Sequence, residues 1–330
     1  MAELKYINLY TTDPSFNLAA EQYVFDSLPK EYDYFMLWQN DNAVIIGKYQ
    51  NTLSEINSRY IKDNNVKVVR RLSGGGAVYH DMGNLNFTFI TNAVSGSIDL
   101  KPFCEVIVNA LSEIGIKADI NGRNDITIDG KKFSGNSQYL REGRVMHHGT
   151  IMFASDLNKV ENALNVDADK MESKGIKSVK SRVTSISEHL TQDVSLEDFR
   201  KILLDSILKS TPGEEYIFTP EDTEKIEKIK AERYDTFEWN YGKSPVCEIV
   251  RSQRIPLCGK VEAYISCNHS LIESVEFHGD FFSGSDPSIL AEKLKGVPFT
   301  EDGLRSALEG ANISSFIQNL TIDDLINILI

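Results

Sequence analysis

Arg70-Arg71-Leu72-Ser73-Gly74-Gly75-Gly76-Ala77-Val78-Tyr79-His80-Asp81 is the most informative stretch of the chain. Three consecutive glycines let the backbone reach positive φ and approach a ligand closely. Exposed N–H groups in such a loop form a concave anion site. The two preceding arginines bring charge and bidentate donors suited to phosphate or carboxylate. The stretch is not a known dinucleotide or Walker loop. In the GxGxxG pattern, counting from Gly74, Tyr79 takes the last glycine's place, and the only Gly-Lys-Ser, at Gly242-Lys243-Ser244, has Phe237 where a Walker loop needs glycine. The residues after the glycines read as a strand, so the usual helix N-terminus is missing.

Working outward, Asp13-Pro14 opens a helix, with Phe16, Ala19, Ala20, Tyr23, Val24 and Leu28 at helical spacing. Tyr34–Trp38 and Ala43–Ile46 read as two strands across the turn Gln39-Asn40-Asp41-Asn42. Residues 54–64 read as a helix, 66–69 as a strand, and 84–90 as a strand alternating Leu85, Phe87, Phe89 against Asn84, Asn86, Thr88. Residues 102–115 and 156–164 are expected helical and 145–154 extended, and Asp129-Gly130 is a favoured hairpin turn between 125–128 and 132–134. A helical, charged stretch from 195 to about 230 gives way to an irregular segment at 234–245, then strands at 246–251, 260–266 and 271–277 and short helices. Short turns between strands favour an α+β fold: a mixed, largely antiparallel sheet with flanking helices, residues 1–245, plus a small α/β accessory domain, residues 246–330.

The 330 residues suit two domains. Acidic residues outnumber basic ones by 48 to 35, for a net charge of −13, opposite to the basic footprint of a nucleic-acid binder. Basic clusters at Lys67, Arg70, Arg71 and at Lys174, Lys177, Lys180, Arg182 fit a small anion better than a polyanion. The four cysteines and six histidines show no zinc spacing. No signal peptide and no membrane span are read, and the cytoplasm is the expected compartment.

Two further segments carry chemistry. Lys131-Lys132-Phe133-Ser134-Gly135-Asn136 puts a lysine on a rigid hairpin, where fixed charge stabilises a developing oxyanion. Asp125, in Gly122-Arg123-Asn124-Asp125, could orient that lysine, bind Mg²⁺ or cap the strand. His147-His148-Gly149-Thr150 is site-lining at most, and Trp38 is core or the wall of an apolar acyl pocket.

The order of these motifs, with Lys174 to Thr184, closely resembles the lipoate–protein ligases over the whole chain. The resemblance implies the fold shared with biotin ligases and a two-step reaction. ATP and lipoate give lipoyl-AMP; an acceptor lysine then takes the acyl group and AMP leaves. It implies that Arg71 holds ATP phosphates, and that Gly76, Ala77, Val78 and Tyr79 line the ATP site through backbone groups. It gives Lys132 both the lipoyl carbonyl and the α-phosphate, and Ser73, Gly74, Gly75, Trp38 and His148 the lipoate side. Asp125 is the candidate Mg²⁺ ligand. The expected acceptors are lipoyl domains of 2-oxoacid dehydrogenase complexes and the glycine-cleavage H protein. An ATP-independent octanoyl or lipoyl transferase and a non-catalytic lipoate- or nucleotide-binding protein are the alternatives.

Overall fold

In the computed structural model, residues 3–48, 50, 52–92, 99–121, 124–165, 182–242, 247–279, 281 and 285–330 are described. The chain divides into two units: residues 1–50 with 64–236, and residues 51–63 with 237–330.

The first unit is built on an eight-stranded sheet in the order β11-β1-β2-β6-β10-β9-β8-β7. Its members are β1 (Glu3–Asn8), β2 (Tyr32–Trp38), β6 (Asn84–Asn92), β7 (Asp119–Asn121), β8 (Asp125–Ile128), β9 (Lys131–Arg141), β10 (Arg144–Met152) and β11 (Gly213–Glu215). β11, β1 and β2 run parallel; from β2 to β7 every pairing is antiparallel. A second sheet places β3 (Ala43–Ile46) between β4 (Lys67–Arg70), parallel to it, and β5 (Val78–His80), antiparallel. The mixed, largely antiparallel α+β architecture is as expected.

The period-2 pattern of β6 divides the large sheet into two chemically different faces. Leu85, Phe87 and Phe89 join the main core with Cys104, Ile107 and Leu111 of helix Lys101–Glu113 and Phe199, Leu203 and Ile207 of helix Leu196–Ser210. On the other face Asn86 and Thr88 are as buried as the phenylalanines, because helix Pro14–Ser27 brings Glu21 onto it. That helix starts as the sequence predicts, with Asp13 accepting from the Ser15 N–H and Pro14 in the first turn.

Four local expectations are corrected. β2 and β3 are not a hairpin but belong to different sheets. The linker is anchored to the start of helix Pro14–Ser27, with Asn17 Nδ2 donating to the Gln39 carbonyl and Asp41 N–H to that of Thr12. The helix expected at 54–64 is two short ones, Thr52–Glu55 and Ser58–Asp63, and it serves the second unit. There Leu53 enters the core, Thr52 Oγ1 donates to the Asn240 carbonyl at 2.6 Å, and Lys62 pairs with Glu301 at 3.0 Å. The segment read as irregular after 234 holds a π-helical turn, Glu238–Gly242, and the division falls at 236/237 rather than 245, because Trp239 to Tyr241 pack with the second unit's residues. The stretch from 195 to 230 is broken by β11, which extends the sheet beside β1.

The second unit holds a three-stranded meander of β12 (Cys247–Ile255), β13 (Gly259–Asn268) and β14 (Leu271–Gly279). Val261, Ala263 and Ile265 pack against Leu290, Leu304, Leu325 and Leu329 of its short helices.

Two buried polar residues in the first unit make measurable predictions. Arg144 is 1% exposed, and its Nη1 donates to the carbonyls of Phe25 (3.1 Å) and Leu28 (3.0 Å), closing the end of helix Pro14–Ser27. Arg144→Met leaves those carbonyls orphaned and is expected to cost about 3–5 kcal/mol in urea unfolding. His147 is stacked between Phe103 (4.7 Å) and Phe87 (6.0 Å), and burial holds its pKa down to about 3. The folded imidazole stays neutral while the unfolded one protonates near the ordinary 6.5. Its contribution is therefore complete above that value and lost as pH falls toward 3, at about 1.4 kcal/mol per pH unit. Unfolding at pH 7.5, 6 and 5 measures the slope, and His147→Phe should reduce it.

Candidate active site

The loop between β4 and β5 is shaped from beneath by Arg71. This side chain is 7% exposed, and burial lowers its pKa to about 10 while the charge of Glu21 works against the shift. Its Nη2 donates to the carbonyls of Gly74 (2.7 Å) and Gly76 (2.8 Å), Nη1 to that of Ile45 (3.2 Å), and Nε to Ser73 Oγ (3.1 Å). The peptides are trans, so a carbonyl drawn inward turns the next N–H outward. Arg71 thus aims the N–H groups of Gly75 and Ala77 away from itself, and Ser137 Oγ adds a 2.8 Å bond to the Gly74 carbonyl. Gly75 sits at φ +94°, and a Cβ on Gly47 would collide with the Gly75 carbonyl oxygen, so glycine is required on both sides of this approach.

Arg71 is consequently a brace. Four of its five N–H groups are bonded to protein oxygens, three in the loop and one at Ile45, and the side chain also lines the cavity, so the phosphate contact expected of it would fall to the remaining Nη1–H. Arg70 is similar, with Nη1 donating to the carbonyls of Gly47, Lys48 and Gln50. Lys67 pairs with Asp13 at 3.0 Å, so the first basic cluster is not one open patch. Lys174, Lys177 and Lys180 of the second lie outside the described residues, as do Gly122 and Arg123.

A cavity of about 130 Å³ opens beside this loop, entirely within the first unit. Gly75, Gly76, Ala77 and Val78 line one side, Lys132, Gly135 and Asn124 another, and Leu18, Trp38 and Ile45 give it apolar walls. Ser73, Gly74, Tyr79 and Asp125 stand behind the lining. Tyr79 is buried with its hydroxyl donating to Asn42 Oδ1, so any part it has in the site is by its backbone.

Lys132 Nζ is 2.6 Å from Asp125 Oδ1, across the hairpin of β8 and β9. Asp125 therefore orients the lysine. No cluster of three His, Cys, Asp or Glu surrounds Asp125 among the described residues, and Mg²⁺ held mainly by nucleotide phosphates requires none. Gly135 makes the lysine's position possible, because a Cβ there would lie 2.9 Å from Nζ.

Beneath the cavity runs a buried network that the motifs only partly disclose. His148 Nδ1 is 3.0 Å from Glu21 Oε1, and its Nε2 is 2.6 Å from Ser73 Oγ, which also accepts from Arg71. Thr88 Oγ1 donates to Glu21 Oε1 at 2.5 Å and accepts from Trp38 Nε1 at 2.9 Å. Glu21, His80, Asn86 and Thr88 are not among the predicted site residues. The available signal was a carboxylate in the mostly apolar run from Leu18 to Phe25, and Asn84, Asn86 and Thr88 alternating with Leu85, Phe87 and Phe89. Cys104 lies in the core beyond the sheet, its thiol pushed up to about 11 by burial, so it does not supply a transferase nucleophile.

Similar proteins give this arrangement its context. The family described as "Lipoyl protein ligase A/B catalytic domain" matches residues 13–208, and "Bacterial lipoate protein ligase C-terminus" matches residues 244–329. A lipoate-protein ligase of Bacillus subtilis is 42% identical over 98% of both chains. Among solved structures, the bipartite lipoate protein ligase of Thermoplasma acidophilum, studied with its E2 lipoyl domain, is 28% identical with a TM-score of 0.66, covering 74% of this chain and 98% of that one. A T. acidophilum protein solved with bound lipoic acid is 25% identical with a TM-score of 0.61, over 73% and 98%. With its glycine loop, hairpin lysine and both matched segments, the chain belongs to the lipoate–protein ligase family.

Proposed function

We propose a division of labour among the site residues of an ATP-dependent lipoate–protein ligase. In the first step a lipoate carboxylate oxygen attacks the α-phosphorus of ATP; the new P–O bond gives lipoyl-AMP as pyrophosphate leaves. In the second, an acceptor lysine's amine attacks the acyl carbon, the C–O bond to AMP breaks, and the amine gives up a proton. The acceptors are lipoyl domains, and within that class those of 2-oxoacid dehydrogenase complexes and the glycine-cleavage H protein. The compartment is the cytoplasm, where ATP is supplied; among the described residues no helix is long and apolar enough to cross a membrane.

The observation that carries this reading is Lys132, its ammonium fixed over Gly135 at the edge of an apolar-walled cavity bordered by the glycine loop. The first step brings two anions together, and a fixed cation between carboxylate and α-phosphate offsets their repulsion. In the second step the same ammonium polarises the acyl carbonyl. Gly75, Gly76, Ala77 and Val78 receive phosphate oxygens through backbone N–H groups, with Arg71 setting their direction. Mg²⁺ supplies charge neutralisation on the nucleotide's phosphates and travels with them. Lipoate's chain lies along Leu18, Ile45 and Trp38, while Ser73 and His148 hold that wall in place. Residues 1–50 with 64–236 are read as the catalytic part, and residues 51–63 with 237–330 as the accessory part.

Lipoate-dependent exchange of labelled pyrophosphate into ATP tests the scheme. Lys132→Ala should lower exchange by about 10²–10³-fold with folding unchanged. An active wild type with an equally active variant would remove Lys132 from the chemistry. Gly135→Ala is a subtler probe. The added methyl meets only the flexible end of Lys132, so the thermal midpoint should move little, yet the ammonium is displaced. Exchange should fall by about tenfold or more, because positioning errors of this size are costly in rate.

A further inference from the structure

Two residues in the cavity wall carry polar atoms that the protein does not satisfy. His80 is 3% exposed and Asn86 1%, and both line the cavity. Neither His80 Nε2 nor Asn86 Nδ2 has a hydrogen-bond partner among the described residues. Buried polar groups are normally paired, so two orphans in one wall point to a ligand that completes them.

Hydrogen-bond logic fixes both as donors. Asn17 Nδ2 donates to the Thr11 and Gln39 carbonyls and, at 3.0 Å, to Asn40 Oδ1. Asn40 therefore presents its amide nitrogen to His80 Nδ1, 3.1 Å away, making Nδ1 an acceptor and leaving the ring proton on Nε2. Burial, with help from Arg71 and His148, holds the His80 pKa down to about 3, so this neutral tautomer persists at physiological pH. Asn86 Oδ1 accepts from Asn84 Nδ2 at 2.9 Å, which leaves its own amide N–H groups to the cavity. Trp38 Nε1, the other donor in this corner, is already bonded to Thr88.

The sheet register gives their place along the cavity. Trp38 pairs with Asn86 and Asn86 with Thr150, and the Gly135 N–H donates to Thr150 Oγ1. Gly135 carries the Lys132 ammonium above it, so this row runs from Trp38 to the lysine across β2, β6, β10 and β9. His80 is edge-on to Trp38 at 6.3 Å. Asn86 thus lies two strand spacings, roughly 10 Å, from the lysine's strand. With a carboxyl group at Lys132, that distance corresponds to the far end of a pentanoate chain bearing a five-membered ring.

We propose that His80 Nε2–H and Asn86 Nδ2–H bond the dithiolane sulfurs of lipoate, so that the pocket selects a sulfur-bearing ring over an alkyl tail of equal length. This rests on the ligase reading of the site. Disulfide sulfurs are weak acceptors, but an alkyl tail offers none, and it would displace water from both donors without replacing its bonds. The preference is accordingly moderate.

Pyrophosphate exchange by the full chain should be compared for lipoate, 5-cyclopentylpentanoate (the same ring size without sulfur) and octanoate. Lipoate is expected to exceed both in kcat/KM by about tenfold. Asn86→Leu should lower the lipoate value and shrink the ratio to about threefold or less. Equal kcat/KM for lipoate and its cyclopentyl analogue in the wild type would overturn the donor pair, and that comparison needs no variant to fold. Absence of exchange with all three acids would instead overturn the ligase reading. Calorimetric binding of lipoate and the cyclopentyl acid then decides the donors by themselves: about tenfold tighter lipoate supports them, and equal or absent binding ends the proposal.

Discussion

A guanidinium buried under a loop of three glycines organises this site. Arg71 has exchanged water for four protein oxygens, and burial has lowered its pKa to about 10 without removing its charge at neutral pH. A cation in that position is tolerated because the hydrogen bonds are good and because Glu21 lies within electrostatic reach. The loop's outward N–H groups follow from the inward carbonyls. Without Arg71 the three glycines would be free to sample many conformations, and the entropy of ordering them would fall on the ligand.

The same charge explains the polar face of the large sheet. Glu21 answers Arg71 through His148 and Ser73, and also holds Thr88 and, through it, Trp38. One helix therefore sets both the electrostatics beneath the glycine loop and the orientation of Trp38 in the cavity's apolar wall. Arg144 anchors the end of that helix to the backbone before β2. Stability and site geometry meet in helix Pro14–Ser27, which explains why a carboxylate persists in its buried face.

Much of this was legible in the sequence, and the limits have physical reasons. The glycine loop, the Asp129-Gly130 hairpin and Lys132 were visible because φ > 0 positions and turn chemistry leave local signatures. Strand partners were not, because alternation specifies a face and not a neighbour; β3 reads the same in a hairpin with β2 or between β4 and β5. The alternation of β6 identified a strand, but alternation alone does not show that Asn86 and Thr88 face a second buried layer. Arg71 was visible as a charge near glycines, yet its direction, toward the loop's carbonyls, depends on tertiary packing. The excursion of residues 51–63 into the second unit is likewise a matter of where Leu53 finds a core.

The Lys132–Asp125 pair differs from this network in a way that matters for turnover. Both side chains are more than a third exposed, so their 2.6 Å contact is screened and contributes only about 0–1 kcal/mol. A contact that weak can be given up when a phosphate or carboxylate oxygen arrives. Asp125 aims the ammonium in the free protein without holding it in a deep well, whereas most of Arg71's donors are committed to buried bonds. The site thus combines a cation committed to shaping the glycine loop with a loosely held one at the cavity's edge. A lysine suits the second role, because its charge sits at the end of a flexible stem and can shift between acceptors. That mobility is what the proposed reading asks of Lys132, one ammonium for both the anhydride-forming step and the subsequent acyl transfer.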